Sequence, residues 1–373
     1  MGMRMRKRAP DFVLFLTVLM LLSIGLVMVF SASAYFAGDP EGPFRDPFHF
    51  FKRQLFGALL GIGAMFFMMN YDYYRLKRWI GLMLIGSFLL LVLVLVPGIG
   101  MEYLGARRWI NLGFLSFQPS ELVKICIITF TAYGLALKKD RIKYLGSGLM
   151  PFLTVTGAAA LLILAQPDLG TAATLCGTVF IMLFAAGARG GHLTGLAGLG
   201  VMGVAAAIIL EPYRMRRFMA FLDPEADPTG AGWNIINALM SLASGGLLGM
   251  GLGQGRHSKF LFLPERHTDF IFAAIGEELG FIGGSLVILL FILLVWRGFK
   301  IAITCPDAFG SLLAAGLVSG IALQAFVNIG VVTGSLPVTG ITLPFVSFGS
   351  TSLIFSLMGV GILLNISKYS TPR

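Results

Sequence analysis

Leu263-Pro-Glu-Arg-His-Thr-Asp-Phe-Ile-Phe-Ala-Ala-Ile-Gly-Glu-Glu-Leu-Gly280 is a polar, charged approach that runs into a long apolar stretch. The apolar residues continue from Phe281 to Trp296, which makes 271–296 long enough to cross a bilayer, for which ~20 residues suffice. Asp269 lies at the mouth of that run, and Glu277 and Glu278 lie just inside it. Carboxylates at such depth are costly, which makes them functional candidates. Asp269 reads either as a general base or as a cap of the helix that follows. Glu277 and Glu278 sit roughly 12 Å further along, at 1.5 Å per residue. Being adjacent, they point in different directions.

Working outward, the same pattern recurs along the chain. Of its 373 residues, 57% are hydrophobic and 12% charged, against about 25% charged in soluble chains. The sequence predicts an all-α polytopic membrane protein forming one integral domain over 1–373. About ten spans are expected, near 11–33, 54–70, 79–98, 119–137, 148–166, 170–187, 193–210, 271–296, 308–332 and 346–367. Arg4 to Arg8 before the first run and Ala32-Ser33-Ala34 after it resemble a secretory leader. The run 12–30 exceeds the usual 7–15 residues, so it reads as an uncleaved helix.

Loop charges predict orientation. Arg75, Lys77, Arg78, Lys138, Lys139, Arg141, Lys143, Arg189, Arg297, Lys300 and Lys368 share one side with the N-terminal basic cluster. That side is the cytoplasmic one, with both termini. The net charge of +10 therefore reflects the membrane and its lipids, with no nucleic-acid motif. The segment 211–270 becomes a large extracytoplasmic loop before the eighth span. Within it, 233–252 reads as an amphipathic or re-entrant helix. The Gly-rich run 245–255 lacks the Lys-Ser/Thr of a phosphate loop and reads as a packed turn. Cys126, Cys176 and Cys305 have no metal-site spacing and read as small apolar residues.

Other candidates follow from spacing. Glu121 and Lys124 are one helical turn apart in the fourth span, so they can pair within the membrane as a clamp or a substrate-orienting pair. Arg107, Arg108, Arg214, Arg217 and Lys259 are outer cations suited to phosphate or to lipid headgroups. Asp168, in a Pro/Gly turn, reads as a helix cap. His267 and Ser347 are further candidates in the polar segments flanking the last spans. No residue is assigned to a metal.

Five motifs in order carry a family resemblance: Gly105-Ala-Arg-Arg-Trp109, Phe117-Gln-Pro-Ser-Glu-Leu122, Gln166-Pro-Asp-Leu-Gly-Thr171, Leu263-Pro-Glu-Arg-His-Thr-Asp-Phe270 and Pro337-Val-Thr-Gly-Ile-Thr-Leu-Pro-Phe345. Across nearly its whole length the chain resembles the SEDS family, the FtsW/RodA/SpoVE proteins. The resemblance implies a peptidoglycan glycosyltransferase polymerising lipid II, the undecaprenyl-pyrophosphate disaccharide-pentapeptide, into glycan strands in division, shape or sporulation. It implies an essential aspartate at Asp269 and an intramembrane pair at Glu121 and Lys124. Outer cations, or a divalent ion such as Mg or Mn, would offset charge on the pyrophosphate. A class B penicillin-binding protein, the transpeptidase, is the expected partner, beside other cell-wall and division proteins. Small residues of the eighth and ninth spans, Gly283, Gly284, Gly310, Ala314 and Gly316, are expected to offer it a docking face. Two other functions compete: a lipid II flippase and a non-catalytic scaffold for a cell-wall synthase.

Overall fold

The computed structural model describes residues 8–103, 105–111, 113, 116–256 and 265–370. Lys259 lies outside the described residues.

The spans appear where apolar runs are longest, because only a helix satisfies its own backbone in lipid. Among the described residues, nine helices are long and apolar enough to cross a membrane. They include α1 (Phe12–Ala37), α2 (His49–Asn70), α3 (Leu76–Leu95), α4 (Pro119–Lys138), α5 (Met150–Leu164) and α7 (Gly190–Ile209). The tenth expected span is α6 (Leu169–Ala185), whose 17 residues place it at the short end of what a bilayer needs. The remaining spans are α10 (Ile271–Thr304), α11 (Ala308–Val332) and α12 (Ser350–Ser367).

Carboxylates start several of these helices. Asp11 accepts from the Leu14 N–H at 2.9 Å, Asp168 from Thr171 at 3.0 Å and Asp307 from Gly310 at 2.9 Å. Asp11 also pairs with Arg297 of α10.

The described part of the 211–270 segment folds onto one end of the bundle. It contains α8 (Pro212–Leu222) and α9 (Trp233–Gly245). At 13 residues, α9 is too short to cross, in keeping with a partial insertion. It packs on α10, which breaks at Gly280, where φ is 68°. The Gly-rich turn fills the break. Phe281 and Ile282 donate to the carbonyls of Gly246 and Leu247, while Met250 and Gly251 donate to those of Glu277 and Glu278. A Cβ at Gly249 would lie 2.2 Å from the Glu278 carbonyl oxygen, so only glycine permits this approach.

Between the third and fourth spans three short strands form a small antiparallel sheet: β1 (Gly100–Tyr103), β2 (Ala106–Asn111) and β3 (Ser116–Phe117), in that order. One expectation changes. The small residues proposed as a docking face are buried inside the bundle. A Cβ at Gly316 would meet Met182 and Ile128, and one at Gly310 would meet Cys305 and Tyr73. Gly283, Gly284 and Ala314 are buried as well. The exposed face of α10 presents large side chains instead, including Phe281, Leu289 and Trp296.

Candidate functional site

A cavity of about 1250 Å³ opens at the loop-bearing end of the bundle. Asp269, Glu121, Lys124, Arg108, Arg217 and His267 all line it.

Asp269 stands on the last residues before α10. No side chain caps that helix, so the carboxylate is not spent as a cap. Its segment is gripped at three successive carbonyls. The Phe348 N–H donates to that of His267 at 2.8 Å, the Ser347 hydroxyl to Thr268 at 2.6 Å, and the Asn328 amide to Asp269 at 2.8 Å. Gly340 lies opposite with φ 72°, and a Cβ there would stand 3.6 Å from Asp269 Oδ2.

The electrostatics follow from this placement. Burial pushes the Asp269 carboxyl up to about 7, and Glu265 adds to the rise. Arg217 and Arg108 pull it down, while Asp168 raises it slightly. A carboxylate tuned near neutrality is suited to take a proton and release it. His267 moves the other way, to about 4, through burial and then Arg266. It is therefore a neutral ring at physiological pH. Arg266 itself is buried and donates to the Ala32 carbonyl at 2.7 Å.

Deeper in the cavity, Lys124 Nζ lies 2.9 Å from Glu121 Oε1, as the i,i+3 spacing predicts. It also donates to Gln324 Oε1 at 2.8 Å, and Gln324 Nε2 donates to the Thr342 carbonyl at 3.0 Å. The pair thus joins α4, α11 and the 339–342 segment.

Strand geometry sorts the two neighbouring arginines. Successive residues of β2 face opposite ways. Arg107 pairs with Glu102 in solvent at 2.9 Å and does not line the cavity. Arg108 turns inward and holds the carbonyls of Gln166 and Pro167.

Other expected site residues are placed elsewhere. Arg214 donates to the Ala207 carbonyl at 3.0 Å, fixing α8 to the end of α7. Glu277 and Glu278 are fully buried at the α10 break, and Glu278 accepts from the Ser31 hydroxyl at 2.5 Å and the Gly253 N–H at 3.0 Å. Ser347 supports Thr268 from behind the wall, and its oxygen accepts from the Leu343 N–H at 2.7 Å. Asp168 caps α6 as expected and also lines the cavity.

Sequence reasoning missed Gln324 and Asn328. Two amides at i,i+4 put them on one face of an otherwise apolar helix, and that signal was available. Among the described residues, no three His, Cys, Asp or Glu side chains gather into a metal cage. Arg108, Arg217 and Lys124 are cations that line the same cavity.

Comparison with known proteins follows the same outline. Residues 12–372 match the family model FTSW_RODA_SPOVE, described as "Cell cycle protein". The chain is 50% identical to "Stage V sporulation protein E" of Bacillus subtilis (strain 168), over 99% of this chain and 100% of that one. It is 44% identical to "Probable peptidoglycan glycosyltransferase FtsW" of Geobacter sp. (strain M18), over 97% and 98%. Among solved structures, it resembles a chain of a peptidoglycan synthase complex that coordinates polymerization and crosslinking. The TM-score is 0.79 at 33% identity, covering 96% of this chain and 98% of that one. Thermus thermophilus RodA, a rod shape determining protein, gives a TM-score of 0.70 at 30% identity, over 98% and 99%. With the family model matching nearly its whole length, this multi-pass membrane chain belongs to the FtsW/RodA/SpoVE family, the SEDS proteins.

Proposed function

We propose that this chain is a peptidoglycan glycosyltransferase that polymerises lipid II into glycan strands, with Asp269 as general base. One observation carries the reading: a carboxylate tuned to about 7 stands in a large cavity with Arg108 and Arg217. Relatives named as peptidoglycan glycosyltransferases support it.

The chemistry is a single displacement. Asp269 takes the proton from the acceptor sugar's 4-hydroxyl as that oxygen bonds to the donor's anomeric carbon. The bond from that carbon to the phosphate oxygen breaks, and its electron pair leaves on the pyrophosphate. Arg108 and Arg217 offset the growing negative charge. Inversion turns an α-linked donor into a β-linked strand without a covalent enzyme intermediate. Loop charges support a topology with both termini in the cytoplasm and the cavity on the outer face of the cytoplasmic membrane. A class B penicillin-binding protein would cross-link the product, as the likeness to a peptidoglycan synthase complex supports. The cellular setting is division, shape or sporulation.

A lipid flippase finds support in the broken helix α10, since discontinuous helices are a transporter feature. That break is filled by the α9 turn, and Gly280 does not line the cavity. The decisive experiment gives purified lipid II to purified protein, alone and with a transpeptidase partner, and to Asp269→Asn. Strands from the native protein and ~10²–10⁴-fold fewer from the variant support the assignment. Equal yields from the two would refute it.

A further inference from the structure

The cavity walls differ in kind. Arg108 and Arg217 approach Asp269 from β2 and α8. Another wall is made of rings. Phe50 lies 4.5 Å from His267 and 5.1 Å from both Phe348 and Phe44, centre to centre. Phe36 extends the row, 5.9 Å from Phe44. All five line the cavity. The row draws on α1, α2, the connection between them and the segments before α10 and α12, so distant parts of the chain converge on it.

Two features make this wall apolar on its cavity side. His267 is held neutral by burial, so it behaves as a ring and not as a cation. Arg266, the cation next to His267 in sequence, is folded back onto the Ala32 carbonyl and over the Phe36 ring, while Arg53, one turn after Phe50, lines the cavity and gives the ring wall a polar edge. The wall is also registered to the base. His267 precedes Asp269 by two residues, and its carbonyl is bonded to the Phe348 N–H at 2.8 Å.

We propose that Phe36, Phe44, Phe50, His267 and Phe348 form a carbohydrate subsite that seats the sugar rings of the acceptor. The assignment rests on the reading of Asp269 as base. The sugar whose hydroxyl Asp269 deprotonates must lie within hydrogen-bond reach of it. Donor and acceptor each carry a pyrophosphate, which is drawn to the arginine side, and the sugar nearest Asp269 then falls against the ring wall. β-Linked hexopyranoses carry their polar groups at the edge and expose axial C–H bonds on both faces. Those faces are apolar and pack flat against aromatic rings, whose π surfaces are electron-rich. An isoprenoid tail is the rival occupant, since it too is apolar.

Titration separates the two. A soluble β-1,4-linked amino-sugar tetrasaccharide and undecaprenyl pyrophosphate are each titrated into the purified full-length protein. Phe50→Leu and Phe348→Leu keep apolar bulk but remove the ring. Each is expected to weaken tetrasaccharide binding roughly 3- to 10-fold, with Phe348→Tyr restoring it. Phe44→Leu, at a less buried position, tests the wall if the other variants lose their thermal transition. Phe48→Leu, whose exposed ring stacks on Phe30 outside the cavity lining, should bind as native. Unchanged tetrasaccharide affinity in folded Phe44→Leu and Phe348→Leu overturns the proposal. So does a loss confined to undecaprenyl pyrophosphate, or native protein that binds no tetrasaccharide. Because binding is read without turnover, a fully active Asp269→Asn would remove the base and leave the wall to be judged by its own titration.

Discussion

The side-chain amide of Asn328 donates to the backbone carbonyl of Asp269 at 2.8 Å and, through its other proton, to that of Ile341 at 2.7 Å. One residue of α11 thus ties the base to the segment facing it. Asn328→Ala leaves two carbonyls without a donor, at about 1–3 kcal/mol for each buried group. Lower thermal stability and slower strand synthesis should appear together. Asn328→Asp should be worse, since an ionised carboxylate cannot donate to either carbonyl. A midpoint equal to native in both variants would show that these bonds contribute nothing.

Asp269 sets a pH dependence. Its carboxyl is raised from 3.8 to about 7 in the folded chain. Between these values the folded state keeps a proton that the unfolded state has lost. Stability from this group is therefore present below pH 3.8 and declines as pH rises through 7. Activity runs oppositely, because the base must be ionised, and should climb to a plateau above about 7. Asp269→Asn should gain stability relative to native at pH 8 and little at pH 4. A native rate profile flat from pH 5 to 8 would contradict the raised value.

Glu121 and Lys124 should be energetically coupled. Removing one partner strands a charge at depth, at a cost of about 3–5 kcal/mol for a buried pair. Lys124→Met also loses Gln324 and should cost more than Glu121→Gln. The double variant should lose less than the two singles summed, and additive losses in thermal unfolding would show independence.

Glycine where the end of α9 meets α10 is predicted to be irreplaceable. Alanine at Gly245 would put its Cβ 1.9 Å from the Gly276 carbonyl oxygen. Gly245→Ala should therefore destabilise by at least the ~1–3 kcal/mol of an overpacked site. Gly198→Ala on α7, with no atoms nearby to strike, should be tolerated. Equal melting of the two variants would mean that the turn yields freely.

Orientation is tested by single cysteines in a background lacking the native three. Glu225→Cys should react with an impermeant thiol reagent in intact cells, and Lys143→Cys should not. The reverse pattern would place the cavity on the cytoplasmic side.

Much of this arrangement was legible in the sequence because lipid makes charge conspicuous. Asp269 stood out at the mouth of an apolar run, and Glu121 and Lys124 stood out by their spacing. The choice between Arg107 and Arg108 was not legible, since it depends on a six-residue strand hidden in a glycine-rich loop. Glu277 and Glu278 looked like site residues because their helix reads as continuous. The break at Gly280 turns their carbonyls toward a turn some thirty residues earlier, and periodicity cannot show that pairing. Spacing alone suggests an outer face for the small residues of α10 and α11. Their burial reflects the other use of glycine in lipid, close packing within one bundle.

Gln324 and Asn328 occupy successive turns of the same face of α11 and hold the carbonyls of Thr342 and Ile341. The first also holds Lys124, and the second holds Asp269. A roll of α11 about its axis would withdraw both amides at once. The ion pair at depth, the base near the mouth and the roof between them therefore share one rotational register. Whatever favours that register, a bound strand or a neighbouring helix, assembles all three together, and whatever disfavours it dismantles them together.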